Sequence, residues 1–487
     1  MKQSKSVLNN FIWRFLERTG AQLVAFVVSV VLARILEPKA YGTVSLIAVF
    51  TAILQVFVDS GLGSALIQKK DADDLDFSTV FYTNITICLI LYTALFFCAP
   101  LIAKFYKNME LVPYIRVLGL TIVISGVKNI QQAFVSKNMI FKRFFFATLG
   151  GTIAAGVIGI IMALCGLGVW ALVAQQIINL SIDTIILWLT VKWRPKKMFS
   201  FKRLQGLFGF GWKLFIAALI QETYSDIRSL IIGKVYSPAD LAYYNQGNKF
   251  PQLIVTNINT SINSVLFPAM SKVQDSKEAV KSMTRRSMKT STYVMAPLLI
   301  GLAACGKSVI SILLTDKWLP AYPFLVIFCI TSMFLPLHTA NLNAIKALGR
   351  SDLFLVLEII KKVVGITTIL ITFRISVFAM ALSSLVVSVL DQITNSWPNK
   401  KLMNYSYLEQ LKDILPGILL AAFMGGVVYC VNFLHLNSIL TLIIQVPLGA
   451  IIFIGLSALL KLESFTYCVG MIKPVINKIF KKKQKAE

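Results

Sequence analysis

Long apolar runs alternate with short polar segments along almost the whole chain. Because a helix needs about 20 residues to cross the hydrocarbon core of a bilayer, each run predicts one transmembrane helix. The pattern therefore predicts an all-α, polytopic membrane protein with about fourteen transmembrane helices. Their predicted bounds are 13–36, 43–67, 78–103, 112–135, 145–165, 168–191, 209–233, 244–270, 289–314, 321–345, 353–373, 375–398, 413–434 and 437–460.

The overall composition agrees with a membrane protein. Of the 487 residues, 56% are hydrophobic and 14% are charged, whereas soluble domains carry about 25% charged residues. The polar segments between the predicted helices are too short to hold a catalytic domain outside the membrane. The beginning of the chain is basic but has no small-residue cleavage site before the first apolar run, so we expect no signal peptide.

The net charge of +26 indicates the orientation of the helices. On the predicted topology, 33 of the 48 Lys and Arg residues lie on the side of the N-terminus and 7 lie on the opposite side. The positive-inside rule then predicts that both termini are cytoplasmic. The basic C-terminal segment KIFKKKQK is interpreted as a lipid-headgroup-binding tail, and no nucleic-acid partner is expected.

The two halves of the chain resemble each other at an offset of 200 residues. RILEPKAYG (34–42) aligns with KVYSPADLA (234–242), and DSGLGSALI (59–67) aligns with NTSINSVLF (259–267). The repeat predicts two pseudo-symmetric six-helix lobes in parallel orientation, with a site expected between them. The predicted domains are 1–200, 201–400, and a C-terminal region, 401–487, with two extra helices and the basic tail.

One predicted helix, the seventh, is unusually charged. The stretch QETYSDIRSLIIGKV (221–235) carries Glu222, Asp226 and Arg228, and each central charge costs at least about 2.5 kcal/mol to insert into a bilayer. Spacings of two and six residues do not favour ion pairs within one helix. We interpret the polar face of this helix, which also includes Lys213, as the lining of a water-filled, substrate-binding cavity. The alternative is a structural role in ion pairs with other helices.

Further charged residues lie in other predicted helices, and cations outnumber acids, which suits an anionic substrate headgroup. Some of the cations, Arg14 and Lys362 above all, are expected to extend to the membrane surface. The predicted substrate-binding residues are Arg18, Lys213, Arg228, Lys249 and Lys361. The residues predicted to couple an ion or to form structural pairs are Glu222, Asp226, Glu358 and Asp391.

Several motifs are expected to carry no chemistry. GLAACGKS (301–308) satisfies the phosphate-loop pattern but lies within the ninth predicted helix, without the strand that such a loop follows. His338 and His435 are interpreted as packing residues, and the acidic segment DADDLD (71–76) as a solvated loop. The seven cysteines show no CxxC spacing and are interpreted as small buried hydrophobic residues. No catalytic residues, metal or cofactor are predicted.

Five stretches resemble the polysaccharide transporter family, whose members are Wzx-type flippases. They are LARILEPKAYGTVSLI, GLGSALIQKK, IIGKVYSPADLAYYNQGNKFPQL, LTDKWLPAYPFL and AIKALGRSD. The resemblance covers roughly residues 10–400, and its nearest branch is that of colanic-acid-type exporters. It implies a bundle of twelve core helices plus two, in the superfamily that also holds multidrug antiporters and the lipid II flippase.

The resemblance also implies a function. A protein of this family moves undecaprenyl-diphosphate-linked oligosaccharide to the outer leaflet of the bacterial cytoplasmic membrane by alternating access, through a typically cationic cavity. The expected partners are this lipid-linked anionic glycan, membrane lipids, a coupling ion (H⁺ or Na⁺), and a polysaccharide polymerase with its chain-length machinery.

Two other functions remain open on the sequence. The first is a multidrug-type or other ion-coupled antiporter on the same fold, although an exporter of cationic drugs should have a more acidic cavity. The second is an enzyme, either a polysaccharide polymerase or a membrane glycosyltransferase. A polymerase usually has a large external loop and paired catalytic groups, and neither is visible here.

Overall fold

The computed structural model describes residues 2–59, 61–470 and 473, and for residues 2–18, 59, 210 and 213 it describes the backbone alone. This part of the chain is helical and contains no strand. It divides into two units, Met1–Ala242 and Tyr243–Glu487. The sequence predicts the boundary between the two lobes at residue 200 instead. The pseudo-symmetry of the lobes stays a prediction.

The first unit contains eight helices and the beginning of a ninth. They are α1 (Lys2–Ile35), α2 (Pro38–Asp59), α3 (Leu62–Gln68), α4 (Asp74–Phe105), α5 (Leu111–Lys137), α6 (Lys142–Leu164), α7 (Val169–Thr190), α8 (Phe201–Val235) and α9 (Pro238–Ser271).

Most of α9 belongs to the second unit, which also contains two short 3₁₀ helices, Asp316–Ala321 and Val431–Leu434. Its other helices are α10 (Lys277–Leu314), α11 (Tyr322–Ser332), α12 (Leu335–Ala347), α13 (Ser351–Thr372), α14 (Val377–Met403), α15 (Tyr407–Cys430) and α16 (Ser438–Leu459).

Each of the fourteen predicted transmembrane segments lies on one helix or on two consecutive helices. The second covers α2 and α3, and the tenth covers α11 and α12. By length and apolarity, ten helices in the described part can cross a membrane, or eleven if the bent helix α8 is counted as one. The apolar part of α1, Thr19–Ile35, is too short to qualify, and charged and amide side chains interrupt the apolar faces of α9 and α13. The all-α, polytopic fold is confirmed, and the number fourteen stays a prediction.

Several helices begin farther toward the N-terminus than the apolar runs indicated, because polar residues cap them. The side chains of Asp73, Ser200, Ser276 and Ser406 each accept a hydrogen bond from the backbone N–H three residues later. Such caps satisfy the unpaired N–H groups of the first turn. The helices therefore extend beyond the apolar segments that the sequence pattern identified.

The acidic segment 71–76 is a solvated loop only in its first half: Asp71 and Asp73 are exposed, whereas residues 74–76 form the first turn of α4, so the interpretation was wrong for these. Asp73 caps α4 in a reciprocal capping box with Asp76, and the backbone N–H of Asp76 holds the pKa of the Asp73 carboxyl below its usual range. The carboxylate of Asp76 is fully buried and lies 2.5 Å from the ammonium of Lys69. Asp74 pairs with Lys196 at 2.6 Å. These contacts attach the beginning of α4 to the segments before and after it.

Each unit has its own apolar core. In the first unit, residues of α3, α4 and α5 and Leu207 of α8 form one cluster, with Leu66, Val80 and Ile130 fully buried. In the second unit, residues of α9, α10, α12 and α15 pack together around Met270, Met288 and Tyr405. All seven cysteines are free thiols, and of these Cys88, Cys305 and Cys329 are buried.

The two Pro-containing turns that the internal repeat aligns, at Pro38 and Pro238, lie side by side. Pro38 and Pro238 are the first residues of α2 and α9, a position that proline favours because its missing N–H would be unpaired there. A Cβ atom on Gly42 would lie only 1.6 Å from the carbonyl oxygen of Pro238, so the backbones of the two helix starts touch. The second aligned pair differs, because α2 breaks near Gly61 whereas α9 continues through residues 259–267.

Candidate substrate-binding site

Helix α8 carries the charged stretch and bends by 58° between its two parts, Phe201–Gly209 and Leu214–Val235. The residues between the two parts, 210–213, have the sequence FGWK. A glycine within this sequence is a recognised cause of a sharp kink. The bend separates a short basic segment from the long part of the helix, which holds Glu222, Asp226 and Arg228.

The bend of α8 lies directly against the break between α2 and α3. A Cβ atom on Gly211 would lie 2.8 Å from the carbonyl carbon of Gly61, and a Cβ atom on Gly61 would lie 2.6 Å from the carbonyl oxygen of Gly211. Gly61 also has φ +91°, in the left-handed region that favours glycine. The two interrupted helices therefore cross at a contact that needs glycine on both sides.

We expect Gly211→Ala to lower the stability of the protein by about 1–3 kcal/mol, because the new methyl group meets backbone that cannot rotate away. The measurement is the midpoint of thermal unfolding in detergent. The matched control is Gly206→Ala, on the same helix, where a Cβ atom meets nothing within 4 Å. Equal midpoints for the two variants would contradict the close crossing.

The long part of α8 is attached to α2 and α4 at its two ends. Near the bend, the ring of Phe215 lies 4.7 Å from that of Phe57 in an edge-to-face contact. Near the C-terminal end, the hydroxyl of Tyr106 donates a hydrogen bond to the carbonyl of Leu230 at 3.4 Å. The ammonium of Lys234 lies 4.0 Å over the ring of Phe105 and donates to its carbonyl. The charged residues lie between these attachments.

The guanidinium of Arg228 has no protein partner among the described residues. Its Nε and Nη2 atoms are buried and lie near no hydrogen-bond acceptor. Neither Glu222 nor Asp226 forms an ion pair with it, as the unfavourable spacing on the helix predicted. An unpaired cation in a membrane-spanning helix costs several kcal/mol unless it meets water or an anion. Water or an anionic group at the guanidinium of Arg228 would offset this cost.

The two acids of α8 lie close to Arg228 in sequence. Glu222 and Asp226 are both half-buried, and their i, i+4 spacing places the two carboxylates on one face of the helix, one turn apart. Two like charges at this spacing repel each other. They form an acidic pair beside a cation that they do not neutralise.

For two of the predicted binding residues the structure describes only the backbone. They are Arg18, in α1, and Lys213, at the bend of α8. Their roles stay predictions.

The remaining predicted residues belong to the second unit. Lys249 lies in α9, half-buried and in contact with other groups of the protein. Lys361 and Glu358 form an ion pair within α13, and Asp391 of α14 interacts electrostatically with Lys362. A substrate anion at Lys361 would have to compete with Glu358. Lys361 is thus a weaker candidate for substrate contact than Arg228.

His338 is a packing residue, as predicted. Its Nε2 atom lies 3.3 Å from the hydroxyl of Ser388, and its Nδ1 atom lies 3.3 Å from the amide of Asn395. Both ring nitrogens therefore have partners on α14. This arrangement leaves the ring no free position for a metal or a substrate.

Sequence reasoning missed a buried ion pair in the first unit. The ammonium of Lys128 on α5 lies 2.5 Å from the carboxylate of Asp183 on α7, and the two side chains are 14% and 10% exposed. Asp183 is an acid within the sixth predicted helix. This isolated position was the available signal that it pairs with a cation of another helix.

A network of buried amides in the second unit was also missed. Asn341 of α12 donates to Gln410 of α15 at 3.0 Å and accepts from Asn399 of α14 at 2.6 Å. The hydroxyl of Ser396 and the amide of Gln392 also donate to Gln410. The spacing of 392, 396 and 399 places polar groups on one face of α14, which could have revealed the network. These bonds hold α12, α14 and α15 together.

The segment that satisfies the phosphate-loop pattern is helical. Residues 301–308 lie wholly within α10, so most of their N–H groups are engaged in the helix and cannot surround a phosphate. A Cβ atom on Gly306 would meet the ring of Tyr322 at 2.8 Å, so this glycine serves helix packing. The ammonium of Lys307 lies 5.6 Å over the same ring.

Together, these features define a polytopic, all-α membrane protein with a charged helix whose Arg228 has no partner among the described residues. A family model described as "Polysaccharide biosynthesis protein" matches residues 31–323. This match covers more than half of the chain, which therefore belongs to that family, as the sequence motifs predicted.

Three relatives have names that describe polysaccharide synthesis. The chain is 25% identical to the teichuronic acid biosynthesis protein TuaB of Bacillus subtilis, over 83% of this chain and 86% of the relative. It is 23% identical to the succinoglycan biosynthesis transport protein ExoT of Rhizobium meliloti, over 71% and 70%. It is 21% identical to the lipopolysaccharide biosynthesis protein WzxC of Escherichia coli, over 74% of each chain.

The fold is shared with solved membrane transporters. The lipid II flippase MurJ, in an inward closed conformation, matches with a TM-score of 0.73 at 16% identity, over 92% of this chain and 98% of MurJ. An inward-facing multidrug resistance transporter of the MATE family matches with a TM-score of 0.59 at 14% identity, over 79% and 96%. At these identities the likeness establishes the fold.

Proposed function

We propose that the protein is a flippase that moves undecaprenyl-diphosphate-linked oligosaccharide units across the bacterial cytoplasmic membrane, by alternating access, for the synthesis of a surface polysaccharide. Membership of the polysaccharide biosynthesis family and the transport function in the name of one relative support this proposal. In this proposal the chain is a transporter rather than an enzyme, with both termini in the cytoplasm.

The unpaired guanidinium of Arg228 carries the proposal. A diphosphate offers several acceptor oxygens, and the planar fork of arginine donates two parallel hydrogen bonds to such a group. Nε and Nη2, the two buried donors without partners, are adjacent on one edge of the guanidinium and form such a fork. Because both donors are buried in this conformation, we propose that this edge opens to a hydrated cavity lined by α8 in another state of the transport cycle and there binds the diphosphate of the lipid carrier. Arg18, Lys213 and Lys249 are proposed to add positive charge along the path, and Lys361 is proposed to do so only where the substrate displaces Glu358.

The acidic pair is proposed to couple transport to an ion. Two carboxylates one helical turn apart repel each other, and binding of H⁺ or Na⁺ to the pair relieves this repulsion. Because Asp226 is only two residues from Arg228, a change of charge at Asp226 alters the field at the anion site. Glu358 and Asp391 already interact with lysines of α13, and we assign them to structural pairing. A polysaccharide polymerase is proposed to use the translocated product.

The direct test is translocation in proteoliposomes that contain the purified full chain and a fluorescent undecaprenyl-diphosphate-linked oligosaccharide. We expect the substrate to become accessible to a glycan-modifying enzyme added on the opposite side of the membrane, at a rate far above that of protein-free vesicles. Transport of cationic drugs without translocation of the lipid-linked glycan would favour the antiporter. Lengthening of the glycan by the purified protein would favour the polymerase.

The same assay tests the role of Asp226. We expect Asp226→Asn to leave the protein folded, with an unchanged unfolding midpoint, but to slow translocation at least tenfold and to remove its dependence on an ion gradient. The neutral Thr223→Ala, one turn before Asp226 and exposed, is the matched control. A large loss of folded protein in Asp226→Asn would indicate a structural pair instead.

A further inference from the structure

Residues 282–290 of α10 and the helical residues 463–470 after α16 line an open basic pocket in the second unit. Its volume is about 840 Å³, which lies in the range of pockets that hold a ligand. Arg285, Arg286 and Lys289 contribute cations to its wall, and Glu463 contributes one carboxylate. The pocket shares no residue with the charged stretch of α8, residues 221–235.

Carboxylates neutralise most of the positive charge around this pocket. Arg285 pairs with Asp413 at 2.7 Å, and Lys289 pairs with Glu463 at 2.7 Å. Lys281, on the same side of α10, pairs with Glu409 at 3.1 Å. Three cations are thus matched by three acids. These pairs also attach α10 to α15 and to residues 463–470.

Arg286 is the one cation of the pocket wall that forms no ion pair with a described carboxylate. It is exposed, and no described carboxylate lies within ion-pair distance of it. Its guanidinium lies 5.1 Å over the ring of Tyr467, a contact that orients the guanidinium without neutralising its charge. The pocket therefore has an excess of one positive charge, located at Arg286.

An apolar groove continues from the same residues. The groove has a volume of about 430 Å³ and is lined by Ile258, Ile262 and Leu266 of α9 and by Met283 and Val294 of α10. Arg286, Thr290 and Tyr467 line both the pocket and the groove. The three residues of α9 are four positions apart, so the groove follows this helix for about 12 Å.

The basic pocket and the apolar groove together match the shape of an amphiphilic molecule that lies in one leaflet of the bilayer, with a charged headgroup and an apolar chain. Arg286 lies just before the apolar run of α10, which the sequence pattern begins at residue 289, and Val294 lies two turns farther along. The basic pocket is thus at the level of lipid headgroups, and the groove leads toward the level of acyl chains. We propose that the pocket and the groove together bind one membrane glycerophospholipid, with its phosphodiester at Arg286 and an acyl chain in the groove.

The single excess charge favours this ligand over two others. A phosphodiester carries one negative charge, which matches Arg286, whereas a diphosphate carries at least two and would have to break the pairs of Arg285 or Lys289. The C-terminal residues 471–487 are rich in lysine and have the wrong charge for the pocket. A bound phospholipid would contact α9, α10 and residues 463–470 at once and would hold these three segments together.

The test is titration of the purified full chain in detergent with dioleoyl-phosphatidylglycerol or dioleoyl-phosphatidylcholine, with bound lipid counted by native mass spectrometry. We expect one tightly bound phosphatidylglycerol and weaker binding of the zwitterionic lipid. Arg286→Gln should weaken phosphatidylglycerol binding about tenfold, the loss expected for one charge-assisted contact. Thr290→Phe, which fills the junction of pocket and groove, should weaken it similarly.

Lys277→Gln is the matched control, because it removes an exposed positive charge from the same helix outside the pocket. Equal phosphatidylglycerol binding by Arg286→Gln and Lys277→Gln would overturn the proposal, and so would equal affinity of the unmodified protein for the two lipids. Undecaprenyl diphosphate that displaces phosphatidylglycerol at equimolar amounts, in an Arg286-dependent way, would also overturn it and would assign the site to the carrier. An unchanged unfolding midpoint of each variant ensures that folded protein is compared.

Discussion

We expect Arg228→Ala to abolish translocation of lipid-linked oligosaccharide without lowering the amount of protein in the membrane. The substitution removes the unpaired donors that are proposed to bind the diphosphate. It breaks no ion pair among the described residues, and it removes a charge whose insertion costs at least about 2.5 kcal/mol. Folding should therefore be unaffected or improved. Loss of transport together with retained stability is the expected signature of a residue that serves function.

The conservative variant Arg228→Lys should keep part of the transport activity. Lysine retains the charge but offers no planar fork for two parallel hydrogen bonds, so we expect a rate reduced by about tenfold to a hundredfold, as for the loss of one charge-assisted hydrogen bond. The measurements are the proteoliposome rate and the amount of folded protein for each variant.

Arg116→Ala is the matched control, because Arg116 of α5 already has partners within the protein. It donates a hydrogen bond to the carbonyl of Phe96 at 3.3 Å and lies 4.1 Å over its ring. This variant should lower stability and keep transport, the opposite of Arg228→Ala. Full transport by Arg228→Ala would place the substrate anion elsewhere.

The second large effect is expected at the buried pair of Lys128 and Asp183. Asp183→Asn should lower the free energy of unfolding by about 3–5 kcal/mol, because it leaves the ammonium of Lys128 buried without a counter-charge. The measurement is the unfolding midpoint in detergent, together with the amount of protein in the membrane. Lys128→Met alone should be similarly harmful, because it leaves the carboxylate of Asp183 uncompensated.

The double variant Lys128→Met with Asp183→Leu should recover most of this stability. Replacing both partners of a buried pair by apolar residues of similar size is often neutral or stabilising, and both side chains lie in membrane-spanning helices. A double variant as unstable as either single one would show that the polar contact itself is needed. Stable single variants that fail to transport would show that the pair belongs to the transport mechanism.

The charged stretch of α8 shows how far sequence reasoning reaches toward the site. The sequence identified Arg228 as a charge that a bilayer does not tolerate alone, and the spacing excluded partners on the same helix. It could not exclude a partner on another helix. Lys128 presented the same pattern, a cation within an apolar run, and the fold supplies it with Asp183. The difference between the two cations depends on which helices are neighbours.

The acidic segment 71–76 shows the opposite error. Its composition is that of a solvated loop, yet Asp73 and Asp76 form a capping box and Asp76 is buried against Lys69. Asp74 contacts Lys196 and Trp193, which are about 120 residues away in sequence. Local composition carries no information on contacts between residues so far apart in sequence. The structural role of the segment was therefore not predictable from its composition.

The sequence by itself determined the class of the protein, the positions of its helical segments and its family. Bilayer thickness fixes the length of an apolar run, and a hydrocarbon core requires every backbone polar group in it to be bonded within a helix. The tertiary structure alone decided the bend of α8 against Gly61 and the pairing of Lys128 with Asp183. It also decided that, among the described residues, Arg228 has no hydrogen-bond partner and Arg286 no counter-charge. Each of these depends on which segments far apart in the chain come into contact and which do not, and no local pattern of residues encodes this.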